Sequence, residues 1–412
     1  MITDIYQDDL PQIYQDLVAH FPDKPWLRRV KGLQYQVKAN PMSREWLWLV
    51  NQVAYGLTEF DARGTDPVDF RSWEAVKHAM VFAAQVLAIV KVESADRARK
   101  LISRVDGALR NPDDMRGIMF ELSLATGLYR KGCTIEWMEE DQGPGTDTFD
   151  MLVDVPGVGL VEFECKSFSV DKGEAIPVER ALDFINRLMP LVEQEFPFPP
   201  NRLFAVSIML EDTIPTGAAE QTILANLVGQ AIGRADKILD GIGRIDMQCV
   251  ELGGHAFELG EEALIDLTNE ALGIQPAHQV IKVLPGGSFL AVRVWSVVPS
   301  TLDKRMKDVA KKAIRRQMSG SRPGCLAMRV ERHTGDGLTA IADDQKNNLA
   351  FVATSLMKNA EHAHLAGVVY VSAPTMTRLS DSTVTGQSTV YAFDNQVGAF
   401  PNLGIELLFT EQ

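Results

Sequence analysis

The sequence predicts a mixed α/β protein, and three observations carry that expectation. Apolar residues recur at helical spacing through most of the first 130 positions. Between Thr146 and Ser169 the pattern switches to the period-two alternation of strands with two different faces. From Phe289 onward short apolar runs alternate with helical segments, the βαβαβ order of a mostly parallel sheet. At 412 residues the chain exceeds one average domain. Pattern divides it into an N-terminal helical region (1–94), a central α/β region (95–212) and a C-terminal α/β region (213–412).

In the N-terminal region, Ser43 is expected to cap a segment whose Trp46, Leu47, Leu49, Val50 and Val53 form a broad apolar face. Asp66-Pro67 opens a second long helix reaching Val90. Trp46, Trp48 and Trp73, set among aliphatics at helical spacing, belong in a core rather than on a base-stacking platform. The longest apolar run, Ala79 to Val90, is too short to span a bilayer and reads as a buried helix. Ala95 to Arg110 is amphipathic, with Arg97, Arg99, Lys100, Arg104 and Arg110 on a polar face that is either solvated or phosphate-contacting. Asn111-Pro112, a cap followed by proline at the first helical position, starts the helix that carries Glu121. That helix ends near Gly127 to Gly132, Gly132 to Trp137 is a strand, and Asp141 to Gly145 is the loop into the next hairpin.

The hairpin places charge on apolar strands. Phe149, Met151, Val153 and Val155 alternate with Asp150, Leu152 and Asp154; Val161, Phe163 and Cys165 alternate with Glu162, Glu164 and Lys166. Side chains change face with every residue, so Asp150 sits beside Glu164 only if the loop holds an odd number of residues. Pro156-Gly157-Val158 supplies a three-residue loop, which pairs Asp150 with Glu164, Met151 with Phe163 and Leu152 with Glu162. Two carboxylates and an ammonium then share one place. Magnesium prefers hard oxygen ligands and keeps positions open for water and substrate phosphate. Asp150 and Glu164 offer such oxygens, Cys165 a backbone carbonyl, and Lys166 lies on the strand face of Glu164, where it can orient or deprotonate a water. The other reading of Glu162, Glu164 and Lys166 is a solvated strand face with cross-strand charge pairs.

Asp150, a hairpin, then Glu164-Cys165-Lys166 resembles the PD-(D/E)XK nuclease superfamily, the restriction endonuclease-like fold. The resemblance covers about Asn111 to Leu210. It implies a core of helix, three strands, helix and strand. It also implies that Asp150 and Glu164 bind Mg²⁺, with Mn²⁺ substituting, that Lys166 handles the nucleophilic water, and that Glu121 assists through a second metal or a water. Phe149 stands where the family name has proline, a position without chemistry. Asp344-Gln345-Lys346 repeats the acid-x-Lys form in a polar loop with no hairpin before it, so the tripeptide alone says little.

After Lys166, the helix Ile176 to Glu195, with Pro190 inside it, and the strand Phe204 to Leu210 are expected to complete that core. The later run is strand (Phe289 to Val298), helix (Leu302 to Met318), strand (Gly324 to Val330), helix (Asn347 to His364) and strand (Gly367 to Val371). Either it extends the central sheet, with Glu211 to about Val283 as an insertion, or it forms a separate domain. Its first helix, 302–318, is expected to bury Met306, Val309, Ala313 and Ile314, leaving Lys304, Arg305, Lys307, Lys311, Lys312, Arg315 and Arg316 on the remaining surface. From Lys282 to Arg332 the net charge is +9, and the rest of this −14 protein sums to −23. That segregation suits a phosphate-binding face on an acidic protein, and equally a solvated helix paired with acidic segments.

Other classes are set aside. There is no GxxxxGK[ST] loop, so the chain supplies no obvious ATP motor. The four cysteines show no CxxC pair, which suggests neither a zinc knuckle nor a disulfide framework and fits a reducing cytoplasm. MITDIYQDDL lacks a signal peptide's basic start and apolar core. His362 and His364, two apart, read as surface residues. The expectation is therefore a cytoplasmic, metal-dependent nuclease with no membrane association. The resemblance implies DNA more than RNA as substrate, a prokaryotic defence or repair setting, a homodimer, and room for a partner supplying activation or ATP hydrolysis. A non-catalytic nucleic-acid-binding or scaffold subunit, or an RNA endonuclease, are the alternatives.

Overall fold

The computed structural model describes residues 2–66, 69–138, 149–168, 173–195, 199–234, 237–253, 259–275, 277–299, 301–331, 335–343, 349–378 and 382–410. The expected loop 141–145 and Asp344-Gln345-Lys346 lie outside them. Among the described residues the fold is mixed α/β, with helices and three sheets.

The chain begins with β1 (Ile2–Tyr6), α1 (Leu10–His20), α2 (Pro25–Ala39), α3 (Arg44–Val50), α4 (Gln52–Arg63), α5 (Phe70–Val92), α6 (Ala95–Ala108) and α7 (Pro112–Arg130). Asp69 caps α5 by accepting from the Ser72 N–H at 2.8 Å, and Asn111 caps α7 through the Asp113 N–H at 3.2 Å. Ser43, expected as a cap, instead lies in a 3-10 turn whose cap is Asn40. Then come β2 (Thr134–Trp137), β3 (Met151–Val155) and β4 (Gly159–Phe168). α5 is the central helix. Its length and apolarity would suffice to cross a membrane, but Val76, Ala79, Met80, Phe82, Val86 and Ile89 are buried in the fold. Gly56 of α4 explains one close approach: a Cβ there would lie 2.0 Å from the Ala75 carbonyl oxygen of α5.

Residues 171–301 hold α8 (Val178–Glu195), β5 (Arg202–Leu210), α9 (Ala218–Gly233), β6 (Ile238–Leu239), β7 (Gly243–Glu251), α10 (Glu261–Leu272), β8 (His278–Leu284) and β9 (Ser288–Ser296). With residues 34–47 they form one compact unit. Its sheet has the order β6-β7-β5-β9-β8 and its own core, including Phe184, Leu188, Val206, Ile208 and Val292.

The chain ends with α11 (Leu302–Arg316), β10 (Gly324–Val330), α12 (Gly335–Ala342), α13 (Leu349–Met357), β11 (Leu365–Ser372), β12 (Thr375–Arg378), β13 (Thr383–Gln387) and β14 (Val390–Asp394). These elements belong to the larger unit, residues 1–33, 48–170 and 302–412. Its six-stranded sheet has the order β14-β11-β10-β4-β3-β2, with β10 parallel to both β4 and β11. A three-stranded sheet, β1-β13-β12, accompanies it.

Two expectations about strands are corrected. Phe204 to Leu210 does not complete the sheet of the hairpin; as β5 it lies between β7 and β9. Phe289 to Val298 likewise pairs as β9 with β5 and β8, so the strand parallel to β4 is β10. All of these strands are buried and apolar, and apolarity does not choose a partner; the 171–301 segment carries enough apolar surface to build a separate core. The divisions 1–94, 95–212 and 213–412 are replaced for the same reason. A single core joins Leu17 and Trp26 of the first helices to Phe120, Phe163, Ala327 and Val369. The insertion is 171–301 rather than Glu211 to Val283.

Candidate metal centre

The hairpin has the expected register. Met151 pairs with Phe163, Leu152 with Glu162 and Val153 with Val161, and three residues, Pro156-Gly157-Val158, join Val155 to its partner Gly159. Gly157 and Gly159 adopt φ of +79° and +93°, conformations that favour glycine. The backbone N–H of Asp150 donates to the carbonyl of Phe163, the residue already paired with Met151, at 3.1 Å, so the ladder ends at Met151 and the expected strand pair of Asp150 with Glu164 is not formed.

Period two sends Glu162, Glu164 and Lys166 to one face of β4. That face is covered: Leu326 and Met328, which align with Glu164 and Lys166, pack in one core with Phe168 and with Met306, Ala310, Ala313 and Ile314 of α11. Glu162 and Glu164 are both 0% exposed, so the solvated strand face is excluded. Their partners differ. Glu162 accepts from the Ser319 N–H at 2.8 Å and from the Ser319 hydroxyl, and lies 3.7 Å from Arg322, tying β4 to the turn that follows α11. Glu164 forms an ion pair with Lys166.

Asp150 is buried, and its Oδ2 accepts from the Cys165 N–H at 2.6 Å. Burial, then Glu164 and Glu121, push its carboxyl well above the usual range, against opposition from Lys166 and the Cys165 N–H. Burial alone would lower the Lys166 pKa, but Glu164 and Asp150 outweigh it and raise the ammonium's pKa. Burial, then the carboxylates, hold the Cys165 thiol well above its ordinary value, so it stays a neutral thiol. Glu121 enters from α7 and accepts from Arg104 of α6 at 2.8 Å. The sequence placed Arg104 on a polar face, but gave no sign of which carboxylate it meets.

Glu121, Asp150, Glu164, Cys165 and Lys166 thus meet in one electrostatically coupled cluster. Three carboxylates face two cationic side chains, and the resulting repulsion is what an added cation would relieve. The donor set fits Mg²⁺, which takes one or two carboxylates and fills its other positions with water and phosphate oxygens. Among the described residues no group of three or more His, Cys, Asp or Glu side chains is arranged to close on an ion unaided.

The basic helix is α11. Met306, Ala310, Ala313 and Ile314 are buried, whereas Val309 is 38% exposed, so Ala310 takes the place expected of Val309. Spacing of four, three and one keeps that stripe on one helical face. Lys304, Arg305, Lys312, Arg315 and Arg316 are exposed, Lys307 and Lys311 half-buried. Arg315 pairs with Glu361, and the Lys307 Nζ stands 5.0 Å from the centre of the Phe351 ring. His362 is corrected from surface to core: it is fully buried, with Nδ1 3.0 Å from the Leu356 carbonyl oxygen. Comparison with protein-family models, with curated proteins and with solved structures finds no match for the chain.

Proposed function

We propose that the chain is a Mg²⁺-dependent nuclease of the PD-(D/E)XK type. The observation that carries this reading is the electrostatic interaction of Asp150 with Glu164, Glu121 and Lys166, the three acids buried and Lys166 partly exposed, with three carboxyl groups against the two cationic side chains Lys166 and Arg104. The order of elements supports it. α7, β2, β3 and β4, then α11 and β10, follow the helix, three strands, helix, strand order of a restriction endonuclease-like core, with 171–301 inserted before α11.

Asp150 and Glu164 would hold the ion, with the Cys165 carbonyl as a further oxygen. When bound, Mg²⁺ (or Mn²⁺) supplies Lewis acidity at the phosphate and acidifies water. Asp150 is fixed for its part by the Cys165 N–H, and Glu164 by the strand that also carries Lys166. Lys166, an ammonium beside Glu164, would orient the attacking water or donate to a phosphate oxygen, and could take a proton from that water only after first releasing its own to solvent. Glu121, oriented by Arg104, is placed to position a water or serve a second ion. Lys304, Lys307, Lys311, Lys312, Arg315 and Arg316 of α11 would bind backbone phosphates next to the catalytic strand.

By the same resemblance the substrate is DNA rather than RNA, the setting prokaryotic defence or repair in the cytoplasm, and the active form a homodimer, with a partner protein available for activation or ATP hydrolysis. Incubating supercoiled plasmid, linear duplex, single-stranded DNA and RNA with Mg²⁺, Mn²⁺ or EDTA, beside Glu164→Gln, tests the reading. Metal-dependent cutting of DNA, lost in the variant, is expected. Cutting that persists in EDTA or in Glu164→Gln overturns it, and nucleic-acid binding without cutting leaves a binding subunit.

A further inference from the structure

Arg329, on β10, is 2% exposed, and its guanidinium stacks 4.9 Å from the centre of the Phe120 ring. Its Nε–H has no hydrogen-bond partner, and among the described residues no carboxylate forms an ion pair with it. Glu331 is the acid that acts on it, but one oxygen of Glu331 already accepts from the Ser167 hydroxyl at 2.5 Å. The buried Nδ1 of His78, on α5, likewise lacks a partner. Burial, with Lys77 and Arg329 nearby, pushes His78 down to about 4, so at neutral pH the ring is uncharged and has one N–H to offer. Lys77 is itself paired with Glu74.

Both orphaned nitrogens belong to residues lining one cavity between α5, α7, β10 and the β12–β13 pair. Its volume is about 20 Å³, room for one water-sized group. Gln85, Ser123 and Ser388 add an amide and two hydroxyls to the lining, Val81, Phe82 and Met376 make the rest apolar, and no lining residue is acidic. We infer that this cavity is a binding site for a single small anion of chloride size, held by Arg329 and His78. A water could satisfy the hydrogen bonds but would leave the buried guanidinium with no anion in contact, only the field of Glu331, and an apolar wall strengthens that unmet attraction. A tetrahedral oxyanion exceeds the space.

The test is thermal unfolding of the full chain in sodium chloride against sodium gluconate at constant ionic strength, since gluconate is too large to enter. A saturable rise in Tm with chloride is expected in the wild type and its loss in Arg329→Met. Where that variant fails to fold, anomalous diffraction from wild-type crystals soaked in bromide decides, by a peak beside Arg329. Equal Tm in both salts, or a cavity without a bromide peak, means that water alone occupies it and overturns the inference.

Discussion

The carboxylate of Asp150 accepts the backbone N–H of Cys165 at 2.6 Å, so the residue before β3 is pinned to the strand that carries Glu164 and Lys166. That bond ties the Asp150 side chain to the backbone fifteen positions on, and Asp150 is buried, with little solvent to dilute its repulsion from Glu164. Four features of the cluster can be measured directly.

Glu164→Gln and Asp150→Asn should abolish metal-dependent cleavage. In EDTA, Glu164→Gln should match or exceed wild-type stability, because it removes one of the crowded charges. Asp150→Ala should cost about 1–3 kcal/mol, since it strands the buried Cys165 N–H. Denaturant melts beside the cleavage assay check both, and a wild-type rate in either variant removes that residue from the mechanism.

Stability without metal should fall as pH rises. The folded-state pKa of Asp150 is raised, so the folded protein holds a proton that the unfolded chain has released. The contribution is fully present below about pH 4, the ordinary Asp value, and is lost as pH climbs through the folded value, with a slope of up to about 1.4 kcal/mol per unit. Urea melts in EDTA from acid to neutral pH should show the decline in wild type and a flatter line in Asp150→Asn.

Mg²⁺ should restore what pH removes. Occupancy of the site at 100 times Kd adds about 2.7 kcal/mol, and the gain should grow with pH as Asp150 ionises. Calorimetric titration should find the binding in wild type and lose it in Glu164→Gln.

Glu162 and Glu164 should separate by role. Glu162→Ala takes the acceptor from Ser319 and a charge from Arg322, so it should lower stability by about 1–3 kcal/mol while metal binding persists. Charge reversal at Lys304, Lys311, Lys312 and Arg316 should instead spare stability, weaken DNA binding, and flatten its salt dependence by about 0.9 in log–log slope per lost phosphate contact. Fluorescence anisotropy across a salt titration reads this, and unchanged binding returns α11 to a solvated helix.

The hairpin was legible because its signal is local. Period two, an odd loop and two glycines set the β3–β4 register of Met151 with Phe163 and Leu152 with Glu162, whereas Asp150, just before β3, bonds Phe163 and Cys165 rather than extending that ladder to Glu164. The cap of α7, the basic surface of α11 and the position of Glu121 on α7 were legible for the same reason, since each depends on residues within a few turns, whereas α5, expected to open at Asp66-Pro67, is capped by Asp69. Burial of Glu162 and Glu164, the grip of Arg104 on Glu121 and the burial of Arg329 and His362 were not. Each depends on what another part of the chain places over it. Strand partnership belongs to this second class. β5 and β10 are both largely apolar, and only packing of α11 over β4 and a separate core in 171–301 decided which of them lies beside β4. The sequence by itself therefore determined the chemistry available at one hairpin, through the fixed alternation of side chains. The tertiary structure decided that this chemistry is desolvated, crowded and roofed by a basic helix, because burial and long-range pairing arise from surfaces far apart in the chain.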